Sequence, residues 1–276
     1  MAVSASRLEA ALKKDRAVVM TGLAAVVVVA WAYILTGAGM GMSAFDMTAM
    51  SSASGTPAMA GMAMGAATPA VWSPGYALLM FFMWWIMMVA MMLPSAAPMV
   101  LLFAAVNRKQ RERGAIYVPT GIFALGYLVV WGAFSLAATA LQWGLERTGL
   151  LSSMMTSTST LLGGTVLVAA GLWQLTPLKH ACLRHCRSPL HFLSHNWRKG
   201  RFGALCMGLE HGAFCLGCCW FLMGLLFYGG VMNLYWIAGL AAYVLLEKIV
   251  PAGHWLGYAT GAVLVVWGGV LLVATT

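Results

Sequence analysis

The chain has 276 residues, of which 62% are hydrophobic and 8% are charged, with a formal net charge of +9 and a mean hydropathy of +0.85. Soluble domains typically carry about 25% charged residues. The composition therefore excludes an ordinary soluble protein and predicts an all-α, polytopic membrane helix bundle, with the lipid bilayer as the partner of its apolar surface. The positive charge is interpreted as a topology signal, and no nucleic-acid partner is expected.

Seven apolar stretches are long enough to cross a bilayer as helices, which takes about 20 residues. They lie at about 17–36, 76–104, 115–141, 158–178, 203–227, 233–250 and 257–275. The second stretch contains Pro94 and Pro98, which predict a kink or a break. The basic N-terminus leads into the first span without a convincing cleavage site, so no cleavable signal peptide is expected.

The lysines and arginines predict the orientation of these spans. With the N-terminus inside, 15 of the 16 basic residues fall in inner segments, and only Arg147 falls outside. Positive charge accumulates on the cytoplasmic side of membrane proteins. The sequence therefore predicts a multi-pass protein of the cell inner (plasma) membrane, with its N-terminus inside and its C-terminus outside.

The chain divides into three predicted parts. Residues 1–36 form a basic segment and the first span, 37–75 a flexible outer loop, and 76–276 a six-helix core that includes an inner Cys/His loop at 178–202. The outer loop contains Gly-Met-Gly-Met at 39–42 and Gly-Met-Ala-Met-Gly at 61–65. Thioethers are soft ligands that do not form disulfides, so this loop is a candidate for capturing copper(I). A linker without function is the alternative.

The fifth span carries the densest set of candidate metal ligands. Residues three and four apart share a helix face, and the segment from Cys206 to Trp220 places soft ligands in such a stripe, beside an acidic residue. Four cysteines, a histidine and a glutamate within 14 residues favour a metal or redox role over the packing of small side chains. The candidate ligands are Met207, Glu210, His211, Cys215, Cys218 and Cys219.

The second span offers a methionine-rich face, with six methionines between positions 80 and 92. If the second and fifth spans are neighbours, Met87 and Met91 lie at about the depth of His211 to Cys218 and are hypothesised to join the same site. Methionine is also a common filler of apolar cores, and this is the alternative.

Two more cysteines lie in the predicted inner loop. Cys182 and Cys186 are one helical turn apart, so both can face one ion, with His180 and His185 as further nitrogen ligands. The spacing is not that of a standard zinc finger, although zinc remains a possible ion. The alternative is a solvated basic loop with idle, reduced cysteines.

Several of these motifs together resemble a known family. They are Trp84-x6-Met91-Met92-Leu93-Pro94-x3-Pro98-Met99, Cys182-Leu183-x2-Cys186-Arg187-x-Pro189, Gly208-x3-Gly212-x2-Cys215-x-Gly217-Cys218-Cys219-Trp220-x2-Met223 and Glu247-Lys248. The chain resembles the bacterial domain-of-unknown-function family described as predicted metal-binding integral membrane proteins. The resemblance implies metal binding in a membrane and specifies neither the metal nor a reaction.

The leading hypothesis is a copper(I)-handling membrane protein that takes up the ion, transfers it, or delivers it to a membrane or periplasmic cuproenzyme or metallochaperone. A thiol-disulfide redox protein using Cys215-x-x-Cys218 is one alternative, and an accessory membrane subunit without metal is another. The sequence has no P-loop, no G-x-S-x-G elbow and no zincin H-E-x-x-H, so it makes no case for an ATPase, a hydrolase or a protease.

Overall fold

A computed structural model describes residues 2–53, 71–112, 114, 118–152, 155–251 and 253–274. Over these residues the chain is helical and contains no β-strand, which confirms the all-α prediction. The helices are α1 (Ala2–Leu35), α2 (Ala44–Ala53), α3 (Pro74–Glu112), α4 (Thr120–Arg147), α5 (Thr160–Leu175), α6 (Pro177–Arg187), α7 (Pro189–Asn196), α8 (Gly200–Gly224), α9 (Leu226–Gly229), α10 (Leu234–Ile249) and α11 (Gly253–Val273).

Within the described residues, five helical segments are long and apolar enough to cross a membrane. They are Arg16–Leu35, Pro74–Glu112, Thr120–Arg147, Gly200–Gly229 and Gly253–Val273. Helices α5 and α6 make a sixth if the bent pair is counted as one span. The expected count of seven is therefore not confirmed over the described residues, where α10, in the sixth predicted span, has only 16 residues.

Helix α3 is a single helix of 39 residues that continues through both prolines. The predicted break at Pro94 and Pro98 is therefore absent from the described helix. Neighbouring helices and polar side chains allow proline inside an apolar helix by satisfying the freed backbone groups. Ser95 and Tyr127 both donate to the Met92 carbonyl oxygen in this region, at 2.8 and 3.2 Å.

The segment that was expected to be the inner loop 178–202 contains helices α6 and α7. Helix α6 begins directly after α5, and the two axes differ by 65°. Pro177 stands at the start of α6, where its missing N–H costs nothing, and the Thr176 hydroxyl accepts a bond from the Lys179 backbone N–H. This sharp turn brings α6 against α8.

Helices α4 and α8 pack at very short range because glycines face each other between them. A Cβ added to Gly208 would lie 2.1 Å from the Phe123 carbonyl oxygen, and one added to Gly126 would lie 2.4 Å from that of Leu205. Small residues spaced in this way let helix backbones approach closely in apolar surroundings. The close packing places Tyr127 of α4 beside the cysteines of α8.

The outer segment 37–75 is only partly described. It contains helix α2, and Met47 of this helix is buried in the main core. The methionines of the second motif, Met62 and Met64, and the neighbouring Met59 lie outside the described residues. The predicted capture of copper by this loop stays a prediction.

Candidate metal centre

Cys215 of α8 lies at the centre of a buried group of sulfur atoms. Its side chain is fully buried, and its Sγ lies 3.1 Å from the Tyr127 hydroxyl and 3.0 Å from the Lys248 ammonium nitrogen. Tyr127 belongs to α4 and Lys248 to α10. Three helices that are far apart in the sequence therefore meet at one sulfur atom.

Cys218 and Cys219 extend this group by one helical turn. Both are buried, and both thiols donate to the Cys215 carbonyl oxygen at 3.0 Å. The Cys219 Sγ also lies 3.9 Å from the Met92 Sδ of α3. The i, i+3 and i+4 spacing predicted from the sequence thus places three thiols together, and α3 adds a thioether.

Helix α6 supplies a fourth thiol. The Cys186 thiol lies next to those of Cys215 and Cys218, and the residue is 9% exposed. Cys182, one turn earlier, is half-buried and packs on Gly217, where an added Cβ would lie 2.8 Å from the Cys182 Sγ. Because position 217 lacks a side chain, α6 can lie directly on the cysteine face of α8. We call Cys186, Cys215, Cys218 and Cys219 the thiol cluster.

Contacts with α10 and with the residues that follow it hold helix α6 in this position. The Lys179 ammonium forms a buried ion pair with Glu247 and also bonds to the Gln174 side-chain oxygen. Arg187 donates to the carbonyl oxygens of Val250 and Pro251 at the end of α10. A buried ion pair needs further hydrogen bonds to offset its desolvation, and Gln174 provides one. These contacts fix both ends of the helix that carries Cys182 and Cys186.

The other predicted ligands on α8 lie outside the thiol cluster. His211 is buried one turn before Cys215, with its ring among those of Phe123, Tyr127 and Phe192, and its Nδ1 has no hydrogen-bond partner among the described residues. The Met207 Sδ accepts a bond from the Arg198 backbone N–H at 3.4 Å, in a separate apolar cluster. Glu210 forms an ion pair with Arg198 at 3.4 Å and is a third exposed.

Helices α3 and α8 contribute buried side chains to the same core. Met87 and Met91 are both buried in this core together with the cysteines. The thioether that contacts a thiol, however, is that of Met92.

Four residues at this centre were not proposed as site residues from the sequence: Met92, Tyr127, Ser95 and Lys248. Tyr127 and Ser95 lie in ordinary-looking apolar segments, so no local signal marked them. In the sequence, Lys248 appears only as part of the Glu247-Lys248 motif, without a predicted role. Glu247 pairs with Lys179, whereas Lys248 points in a different direction, towards Cys215 and Ser95.

Within the described part of the chain, no group of three or more His, Cys, Asp or Glu side chains has the geometry of a metal site. The thiols are engaged with one another, with a backbone carbonyl and with Lys248. Thiolates and thioethers are the ligands that copper(I) prefers.

Searches among curated proteins and among solved structures return no match to this chain. The family model described as PpoB2, copper chaperone, matches residues 81–271, which include all four residues of the thiol cluster. The family match supports copper as the metal that the protein binds, and it gives no support to zinc. The chain belongs to the PpoB2 family of copper chaperones.

Proposed function

We propose that this protein is an integral membrane chaperone that holds copper(I) on the thiol cluster and delivers it to a partner cuproprotein. The observation that carries the proposal is the meeting of Cys186 with Cys215 and Cys218, although α6 and α8 are separate elements of the chain. Four thiols and the Met92 thioether form a soft, buried donor set suited to a monovalent soft ion.

The donor set supports copper(I) over copper(II). Cu(II) is typical of square-planar nitrogen and oxygen sites, whereas thiolate and thioether donors select Cu(I). The neighbouring oxygen and nitrogen atoms, those of Tyr127, Ser95 and Lys248, are engaged in hydrogen bonds around the cluster. Copper is the cargo here, so the site must both hold the ion and release it.

Cys182 is the candidate release ligand. It is half-buried, one turn before Cys186 on the same helix, and close to Cys218. Thiol ligands on one face can exchange an ion stepwise, because each intermediate keeps a metal–sulfur bond. We therefore propose that copper(I) leaves the buried thiols by way of Cys182.

The experiment uses the full chain purified in detergent without oxygen and loaded with copper(I). We expect one copper per chain, and we expect the variant in which all four cluster cysteines are replaced by serine to bind less than a tenth of that amount. Cys206→Ser is the matched control, because Cys206 lies on α8 outside the cluster. Copper below one equivalent in the wild type, or full loading of the quadruple variant, would contradict the proposal.

We also propose that the protein spans the inner membrane with its N-terminus inside. The apolar helices support membrane integration, and with the seven spans predicted from the sequence, which place the C-terminus outside, 15 of the 16 basic residues lie inside. Tags at the two ends of the chain should be digested by protease from opposite sides of a sealed vesicle. A chain washed from membranes by alkaline carbonate, or two tags accessible from one side, would contradict it.

A thiol-disulfide redox function is the second candidate, and it is favoured by the contact between the Cys215 and Cys218 thiols. It requires this pair to cycle between dithiol and disulfide as electrons pass through it. Mass shifts after alkylation would show a mixture of oxidised and reduced pairs in cells. If the pair is fully reduced under all growth conditions and the protein still retains copper, the redox function is excluded and the chaperone function is supported.

A further inference from the structure

The ammonium group of Lys248 lies beside the thiol cluster, and the binding of copper(I) by thiols does not require this positive charge. The Lys248 ammonium nitrogen lies 3.0 Å from the Cys215 Sγ and 2.8 Å from the Ser95 hydroxyl oxygen. Because a contact on α3 and another on α8 hold the same nitrogen, the charge is held beside the thiols and is not free to swing away.

The neighbouring carboxylate does not face the cluster with Lys248. Glu247, the preceding residue on α10, forms its ion pair with Lys179 of α6, and both of these side chains are buried. Tyr243 also donates to the Glu247 carboxylate from the preceding turn, at 3.5 Å. The two adjacent charges of α10 thus face different helices, so Glu247 does not neutralise the ammonium beside the thiols.

A metal ion held by Cys215 must lie within a few ångströms of this nitrogen, and the repulsion between them grows in proportion to the charge of the ion. A divalent ion on the same donors therefore experiences twice the repulsion of a monovalent ion. At about 4 Å and an effective dielectric constant of about 20, the difference is roughly a thousandfold in relative affinity.

We infer that Lys248 is a specificity-determining residue, whose ammonium group disfavours divalent ions such as Zn(II) at the thiol cluster relative to copper(I). The inference rests on the proposed function, because it assumes that the thiols bind copper(I). Thiolates alone discriminate poorly here, since they also bind Zn(II) well. The fixed charge supplies the discrimination that the donor atoms lack.

The test compares the affinities of the full chain for Cu(I) and Zn(II), each measured by competition with a chromophoric chelator in detergent and without oxygen. In Lys248→Met, which keeps the length and apolar body of the side chain, the ratio of Zn(II) to Cu(I) affinity should rise between about ten- and a thousandfold. Lys248→Arg keeps the charge and should stay within about threefold of the wild type. Lys109→Met, which removes an exposed charge from α3, should do the same.

An unchanged ratio in Lys248→Met would overturn the inference and show that Lys248 only ties α10 to its neighbours. Lys248→Gln, which can still bond to Ser95, provides a second neutral variant if the methionine variant does not fold. A wild type that binds Zn(II) as tightly as Cu(I) would overturn the inference without any variant. A wild type that binds no copper(I) would overturn both the inference and the proposed function.

Discussion

Replacing Cys215 with serine should weaken copper(I) binding more than replacing any other single cysteine. Cys215 contacts the other three thiols of the cluster, and its sulfur also faces Tyr127 and Lys248. The substitution keeps the size of the side chain almost unchanged and leaves a hydroxyl near the same partners. It therefore removes a soft donor with little disturbance of the packing.

The size of the effect follows from the charges at the site. A serine hydroxyl stays neutral, so the variant loses one interaction between an anionic sulfur and the ion, while the repulsion from Lys248 remains. A thiolate that binds the ion lies only about 2.3 Å from it, so the lost attraction is at least that of a charge pair at about 4 Å, which is about 4 kcal/mol at an effective dielectric constant of about 20. At 1.4 kcal/mol per tenfold change, this corresponds to binding that is weaker by roughly a thousandfold or more.

The assay is competition for copper(I) against a chelator of known affinity, with purified chain in detergent under reducing conditions. Cys206→Ser is the control on the same helix and should change the dissociation constant less than about threefold, the range of an uninvolved surface substitution. Thermal unfolding of both variants shows whether the fold is retained. A Cys215→Ser variant that folds and binds within threefold of the wild type would refute the placement of the ion at this cluster.

Three further predictions concern the surroundings of the cluster. His211→Phe should still load one copper per chain, because its ring lies among aromatic rings; a loss of copper measured by elemental analysis would make His211 a ligand. Lys179→Met leaves Glu247 buried without its partner and should lower the free energy of unfolding by about 3–5 kcal/mol, which a lower Tm would show. Adding Glu247→Leu should restore most of the lost stability. An unchanged Tm in the single variant would count against the ion pair. Gly208→Val should destabilise the protein by about 1–3 kcal/mol or more, since its Cβ would meet the Phe123 carbonyl oxygen, and a wild-type Tm would argue against this close contact of α4 and α8.

The buried ion pair and the thiol cluster are linked through helix α6. Helix α10 holds α6 through Glu247 and Lys179, and α6 in turn places Cys186 against the cysteines of α8.

The helical class and the cysteine stripe of α8 were predictable from the sequence, because both depend on local properties. Apolar composition favours helices, and a period of 3.6 residues places Cys215, Cys218 and Cys219 on one face. The predicted count of seven spans is not confirmed for the described residues, because α10 has only 16 residues and α5 ends at the Thr176-Pro177 turn, and hydropathy does not show where a helix ends.

Only the tertiary structure showed that the two predicted cysteine groups belong to one centre. The sequence placed Cys182 and Cys186 in an inner loop, apart from the fifth span, whereas the bend before α6 and the bare face at Gly217 bring Cys186 to Cys215 and Cys218. It likewise decided that Met92 contacts a thiol and that Lys248 faces the cluster while Glu247 faces away. The physical reason is that local sequence determines which side chains share a helix face, whereas the rotation and contact of helices distant in the chain determine which faces meet.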